Sequence, residues 1–518
     1  GGNGDERRRA SFDQRSESTM SQTNDHNADS VASRFQGARQ REDAGQSQSA
    51  GFGGSAPRDA SLLGPSLLAP SSGRSSRRTF LRNGVLALGG LSLPQLLAAR
   101  AAAGTSRTDT SVILLYLHGG PSQLETYDLK PEAPIEYRSI FRPIDTNVAG
   151  LEICEHFPRQ ARIADKFSVI RSLTHDVNIH SDGGIIMLTG KRPTVLDPTS
   201  QSKSEHPDFG SVTSKLRGFG RDAIPPYVAI PRQTYMTRPT YLGMHHGAFE
   251  IGDPSVENFR PPQVALSGDG VTLLDNRRAL LGQLDRLRRT LDVRGQLDAT
   301  DQFRARAFDM LTSPRAAAAF DLAQEPPALR DRYGRHLWGQ SCLLARRLAE
   351  AGSAVISLYI DTPKNGPEFT NWDDHILNAG RPGHFGQFLE RRLPYLDEAL
   401  SALIEDIHAR SLNRRILVVV FGEFGRTPRL SVNASGTGRD HWPQACCALV
   451  SGGGLRMGQV VGATNSKAEY PVEKPCSPQD LLATIYRHLG IDPTQHLTDF
   501  TGRPVRILPD GRPIAELI

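Results

Sequence analysis

Cysteine is scarce in this chain and carries no pattern. Five residues, Cys154, Cys342, Cys446, Cys447 and Cys476, are spread over 518 positions. None forms a CxxC pair, which argues against a thiolate zinc site and against a disulfide scaffold, so buried, inert thiols are expected. Long apolar runs are also missing: no stretch approaches the roughly twenty residues of a transmembrane helix, so no membrane anchor is expected after processing. Blocks of one charge sign are absent as well. The formal net charge of +5 is dispersed, and Arg286, Arg288 and Arg289 sit in a helical pattern beside Asp285. That is a solvated helix face, and no nucleic-acid partner is expected.

Residues 1–74 are rich in Ser, Gly, Arg, Asp and Gln and lack apolar periodicity. Such a segment cannot repay the entropy of ordering and is expected to be disordered. The chain does not begin with methionine; part of this segment is expected to lie upstream of the natural start or to derive from processing, with Met20 one candidate start. Residues 75–104 then read SSRRTFLRNG, a short apolar stretch broken by glycine, and an Ala-rich end. This is a twin-arginine export signal, which sends a folded protein to the periplasm or another extracytoplasmic space.

From residue 105 onward, buried-strand patterns alternate with helical ones. Strands are expected at Ser111–Leu117, Phe167–Leu173, from Tyr227, at Ala354–Ile360, Ile416–Phe421 and from Ala445. Helices are expected from Leu329 to Ala351, around Leu396–Ile407, and from Pro478 to Pro493, with Leu481, Ile485 and Leu489 in register. The fold class is therefore α/β, a doubly wound, mostly parallel sheet with helices on both faces. Residues 232–327 are expected as a partly helical insertion, with Leu280, Leu284, Leu287 and Leu291 at helical spacing.

Polar clusters follow four of the strand candidates. His118 with two glycines follows the first, and His175 to Asp182, including His180 and Ser181, follow the second. Asp361 and then Asp373 and His375 follow the fourth, while Glu423 and Arg426 follow ILVVVF, with Asp440 and His441 beyond. Open α/β sheets place ligands at the C-terminal ends of their strands, so these clusters mark a candidate site. Asp373 and His375, two apart in an extended segment, share a face suited to one cation.

The stretches YGRHLWGQSCLLARRLAEAG, VVVFGEFGRTP, GRDHWP and SPQDLLATIYRHLGIDP resemble an exported family known as domain of unknown function 1501. That family is placed in the alkaline phosphatase and sulfatase superfamily. The resemblance covers roughly 111–493 and implies an alkaline phosphatase-like domain over 105–518. It implies a metal held by Asp373, His375 and His441, and a second by His118 and Glu423, with Asp440 nearby. The ion would be one or two of Zn, Mn, Ca or Mg. Sulfatases carry Ser-Asp-His-Gly where this chain has Gly422, Glu423, Phe424 and Gly425. Their nucleophile precedes a Thr-Gly pair by nine residues, and the same count back from Thr189–Gly190 reaches His180. His180 then attacks, acts as a base or binds metal, and Ser181 is the nucleophile if the register differs by one. Arg426 either clamps an anionic oxygen or pairs with Glu423 or Asp440. The implied function is an exported metal-dependent hydrolase of phosphate or sulfate esters, acting on an anionic substrate such as a sulfated or phosphorylated glycan. The alternative is a catalytically degenerate member that serves in periplasmic or surface binding or assembly.

Overall fold

A computed structural model describes residues 109–218, 224–259, 313–360, 371–378 and 381–518. The segments 1–74 and 75–104, the Leu280–Leu291 pattern and Asp361 lie outside the described residues.

The apolar runs form one eight-stranded sheet. Its strands are β1 (Ser111–Leu117), β2 (Phe167–Leu173), β3 (Tyr227–Ile230), β4 (Phe249–Glu250), β5 (Val355–Ile360), β6 (Ile416–Phe421), β7 (Cys446–Gly452) and β8 (Gln459–Val461). Their spatial order is β8-β2-β7-β6-β1-β5-β3-β4. β1 lies at the centre, parallel to β6 on one side and β5 on the other. Only β7 runs against its neighbours β6 and β2, so the sheet is mostly parallel.

Every residue of β1, β5 and β6 is buried, because helices cover both faces. Alternate side chains divide between two cores. Ile113, Leu115, Ile356, Leu358, Val418 and Val420 share one with helices α5 (Leu337–Glu350) and α6 (Phe385–Ala409). Val112, Leu114, Val355, Leu417 and Val419 share the other with α1 (His180–Thr189) and α7 (Pro478–Leu489). Each such buried side chain contributes about 1.5–3 kcal/mol, which is why unbroken β-branched runs settle here. In helix α7, Ser477 and Asp480 form a capping box, and Gly490 closes the helix in the left-handed region.

Further helices among the described residues include α2 (Phe209–Arg217), α3 (Pro314–Phe320) and α4 (Pro327–Tyr333). The single helix expected from Leu329 to Ala351 is two, α4 and α5. Gly334 adopts φ +90° and turns the chain between them, and His336 caps α5 by accepting the Gly339 N–H. Within 232–327, residues 232–259 form two short 3-10 turns and strand β4, which extends the sheet edge beside β3. Four cysteines are buried and Cys447 is half-buried, all as free thiols. Among the described residues, no helix is long and apolar enough to cross a membrane.

Candidate metal centre

The parallel strands β1, β2, β5 and β6 point the same way, so His118, His180 and Glu423 reach one edge of the sheet. Because β7 is antiparallel, the residues before it arrive at that same edge, and those include His441. A two-stranded pairing of Gly425–Arg426 with His441–Trp442 locks this in, with Arg426 opposite His441.

Glu423 is fully buried just beyond β6. Its Oε1 accepts the Gly119 N–H at 2.8 Å and His180 Nδ1 at 2.7 Å. Its backbone carbonyl accepts from His175 Nε2 at 2.7 Å, while His175 Nδ1 accepts the Val177 N–H. His175 is therefore a satisfied structural histidine, and burial pushes its pKa down to about 4. Gly119 has φ +113°, and a Cβ there would collide with the backbone of Asp373 and Trp372. The glycines after β1 thus let Glu423 and the Trp372–Asp373 segment close on the strand end.

Asp373 is the hub. Its Oδ1 lies 3.0 Å from His375 Nε2 and 3.2 Å from His441 Nε2, and its Oδ2 lies 3.3 Å from His180 Nε2. On the far side of each ring, Nδ1 meets an oxygen: Glu423 for His180, Asp440 for His375 at 2.8 Å, and the Asn178 carbonyl for His441 at 2.7 Å. Carboxylate and carbonyl oxygens only accept, so each Nδ1 carries a proton, and a ring that is neutral turns an Nε2 lone pair inward. His375 Nε2 and His441 Nε2 come within 2.9 Å of each other. Two lone pairs at that separation require a cation or a shared proton between them.

The electrostatics agree. Burial works against ionising Asp373, yet hydrogen bonds from His180, His375 and His441 and the Arg426 charge outweigh it and hold its carboxyl far below the usual range. Burial likewise opposes charging His180, but Asp373 and Glu423 override it and raise its pKa to about 9. Glu423 falls to about 2 against its burial, through His118 and His180. His375 is raised by Asp373 and Asp440 despite burial, whereas burial keeps His441 low. The pocket is built to hold positive charge. One donor atom from each of His180, Asp373 and His441 lies within 4.8 Å of the others, and a histidine and carboxylate set with oriented rings fits a divalent cation.

Several expectations need correction. Arg426 pairs with neither Glu423 nor Asp440: it is fully buried behind Asp373, bonding Asp373 Oδ1 at 2.6 Å and the carbonyls of Gly119, Gly120, Trp372 and Arg439. Its donors are spent on fixing the backbone. Ser181, one step along α1, turns its buried hydroxyl to Asp182 Oδ2 at 2.7 Å, away from the hub. The pair expected to hold a second cation lies side by side, His118 Nδ1 3.5 Å from Glu423 Oε1. That oxygen serves Gly119 and His180, while Glu423 Oε2 and His118 Nδ1 are buried without a hydrogen-bond partner. Phe424, where a superfamily histidine is expected, buries its ring against His441 and His180, at centroid distances of 4.4 and 5.1 Å.

Sequence reading missed the aromatic surround of His118. Tyr359 stacks on its ring at 5.1 Å and Tyr235 meets it edge-on at 5.6 Å. Tyr359 is the penultimate residue of β5, the one signal available in the sequence.

Fold and centre together define an α/β protein with a histidine and aspartate cluster at the C-terminal edge of a mostly parallel sheet. The chain belongs to the family described as Protein of unknown function (DUF1501), which it matches over residues 109–518. Among solved structures it is similar to PsFucS1 sulfatase from Pseudoalteromonas sp., at 13% identity and TM-score 0.35, covering 77% of this chain and 70% of that one. It is similar to the phosphonate monoester hydrolase SpPMH from Silicibacter pomeroyi, at 12% identity and TM-score 0.34, covering 78% and 76%. It is also similar to the lipoteichoic acid synthase LtaP from Listeria monocytogenes, at 10% identity and TM-score 0.35, covering 79% and 76%. No curated protein matches the chain.

Proposed function

We propose that this protein is an exported, metal-dependent hydrolase of phosphate or sulfate esters. The observation that carries the reading is the convergence of three Nε2 atoms on Asp373, each ring braced from behind by an oxygen. His180, Asp373 and His441 would hold a divalent cation with His375 beside them, and that ion would supply Lewis-acid polarisation of the ester oxygen. Export follows from the arginine pair Arg77 and Arg78 and the apolar stretch after it.

The chain's own residues set the geometry. Arg426 fixes Asp373, Glu423 orients His180, and Asp440 orients His375. Both nitrogens of His180 are committed to carboxylates and Ser181 is committed to Asp182, so neither is free to attack. Water is then the nucleophile. His118, whose side chain is 13% exposed and lies beside Glu423, would assist the departing oxygen as general acid. The same lack of an open nucleophile supports a second reading, a binding or assembly protein that has lost its chemistry.

Metal analysis of the purified mature protein, paired with a broad phosphate and sulfate ester panel, separates the readings. A stoichiometric divalent ion lost in Asp373→Asn and His441→Ala, with turnover lost alongside, is expected. No metal under any loading condition refutes the proposal. Metal binding without turnover of any ester favours the second reading.

A further inference from the structure

We infer that Tyr116 is a positioning residue of the metal centre: its hydroxyl holds Glu423, and through Glu423 it sets the ring of His180. The inference rests on the metal-centre reading and adds the residue beneath it. Tyr116 is fully buried near the end of β1. Its cross-strand partners are Phe421 on β6 and Tyr359 on β5, and both pack on its ring, at centroid distances of 6.1 and 6.3 Å. The ring is therefore pinned, and its hydroxyl has little freedom. That hydroxyl and Glu423 Oε2 are both buried without a conventional hydrogen-bond partner. Glu423 Oε1 is taken by the Gly119 N–H and His180 Nδ1, with His118 Nδ1 beside it at 3.5 Å, so Oε2 is the oxygen left for the phenol. Burial first, and then the Glu423 charge, push the phenol's pKa well above its usual value, so across neutral pH the group stays an O–H donor facing a carboxylate.

Helix α1 is shaped around this contact. Gly183 and Gly184 stand one turn after His180, on the helix face that carries it. Glycine inside a helix is destabilising relative to alanine, so two in succession need a reason. A Cβ on Gly184 would lie 2.7 Å from the Tyr116 hydroxyl, and one on Gly183 would lie 3.4 Å from Glu423 Cβ. The two glycines thus let Tyr116 and Glu423 approach the first turn of α1, which His180 opens. A carboxylate held at one oxygen can still rotate about its Cγ–Cδ bond, whereas a donor at the second oxygen fixes its plane. With that plane fixed, Oε1 stays on His180 Nδ1 and Nε2 stays turned to Asp373, at 3.3 Å. Tyr116 touches neither ion nor substrate and acts only through Glu423. Losing such an outer partner costs about tenfold or more in metal affinity.

Titration calorimetry with zinc on the full chain tests this, with thermal unfolding verifying the fold of each variant. Tyr116→Phe removes one oxygen, keeps the ring, and is expected to bind zinc about tenfold more weakly than the wild type. In a Glu423→Gln background the same substitution should change affinity by less than about twofold, because its effect passes through the carboxylate. Gly184→Ala, whose Cβ presses on the hydroxyl, should weaken zinc binding in the wild type and cost little in Tyr116→Phe, where that oxygen is gone. In the metal-free chain the amide proton signal of Gly119, which donates to Glu423 Oε1, should move upfield in Tyr116→Phe. Zinc affinity within about twofold of the wild type, an equal loss in both backgrounds, or an unmoved Gly119 signal overturns the assignment. A wild type that takes up no zinc under any loading condition counts against the metal-centre reading instead, and the Gly119 signal then decides Tyr116.

Discussion

Glu423→Gln should change how metal binding depends on pH, and the direction can be worked from the site. In the metal-free protein His180 is an imidazolium lodged between Glu423 and Asp373, with its pKa raised to about 9. Measured against the ordinary value of about 6.5, that shift is about 3 kcal/mol of preference for the charged ring, shared between two carboxylates. A cation taking the Nε2 position must displace that proton, so at pH 7 the wild type binds roughly fiftyfold more weakly than at pH 9. Glutamine keeps an oxygen for the Gly119 N–H but withdraws the negative charge, so the His180 pKa should fall toward neutrality. At pH 9 the variant should bind about 10–100-fold more weakly, for want of the orienting carboxylate. At pH 7 the gap should narrow, because the variant has less proton to expel. Stability of the metal-free protein follows the same groups. The His180 contribution is complete below the unfolded pKa of about 6.5 and is lost as pH rises through about 9. The Glu423 contribution, with its pKa lowered to about 2, is complete above about 4.5 and lost as pH falls toward 2. The pair therefore stabilises most between about pH 4.5 and 6.5. Calorimetry in buffers of different ionisation enthalpy counts the protons released. About one from His180 at pH 7, with a further fraction from His375, is expected for wild type, and distinctly less for Glu423→Gln. Equal counts, or none in the wild type, would refute the assignment of His180 as a braced ligand.

Three further outcomes test the surrounding structure. Gly119→Ala adds a Cβ in the left-handed region against the Asp373 backbone, so we expect loss of metal affinity together with a fall in thermal stability, read by calorimetry and melting. Arg392 and Asp374 form an ion pair at 2.6 Å with both side chains fully buried. Arg392→Met strands the carboxylate and should cost about 3–5 kcal/mol in denaturant unfolding, while a change under 1 kcal/mol would show that the pair is dispensable. Ser181→Ala should leave ester turnover and metal affinity within about twofold, since its hydroxyl serves Asp182; loss of turnover with the fold intact would return Ser181 to the chemistry.

The fold was legible wherever one local rule decided the outcome. Unbroken apolar runs gave β1, β2 and β6 at their bounds. The break at Gly334 was hidden because Leu337, Leu344 and Leu348 continue a helical spacing past it; the turn depends on φ at one glycine, which periodicity does not register. The strand-end rule located His118, His180 and Glu423. His441 was harder, because its arrival depends on β7 running antiparallel, and ACCALV reads the same in either direction. Arg426 was left open for a related reason. A guanidinium near carboxylates suits both an anion clamp and an ion pair, and only burial shows that its donors face Asp373 and backbone carbonyls.

That burial bears on how the centre forms. Arg426 gathers the carbonyls of Gly119, Gly120, Trp372 and Arg439 as well as Asp373. Arg439 binds Glu125 through two nitrogens, at 3.0 and 2.9 Å, and also bonds the carbonyls of Thr427, Pro428 and Arg138. The loops after β1 and β6, the Trp372–Asp373 segment and the approach to β7 are therefore stitched together by two buried guanidinium groups before any ion arrives. In small zinc domains the metal supplies the folding energy and its removal unfolds the chain. Here the ligands are held by the same polar network that closes the sheet edge, so chelation should lower the melting temperature only by the linkage term, about 4 kcal/mol at a thousandfold excess over Kd. The native fold should survive it, with Asp373 still fixed and His180 taking up the proton.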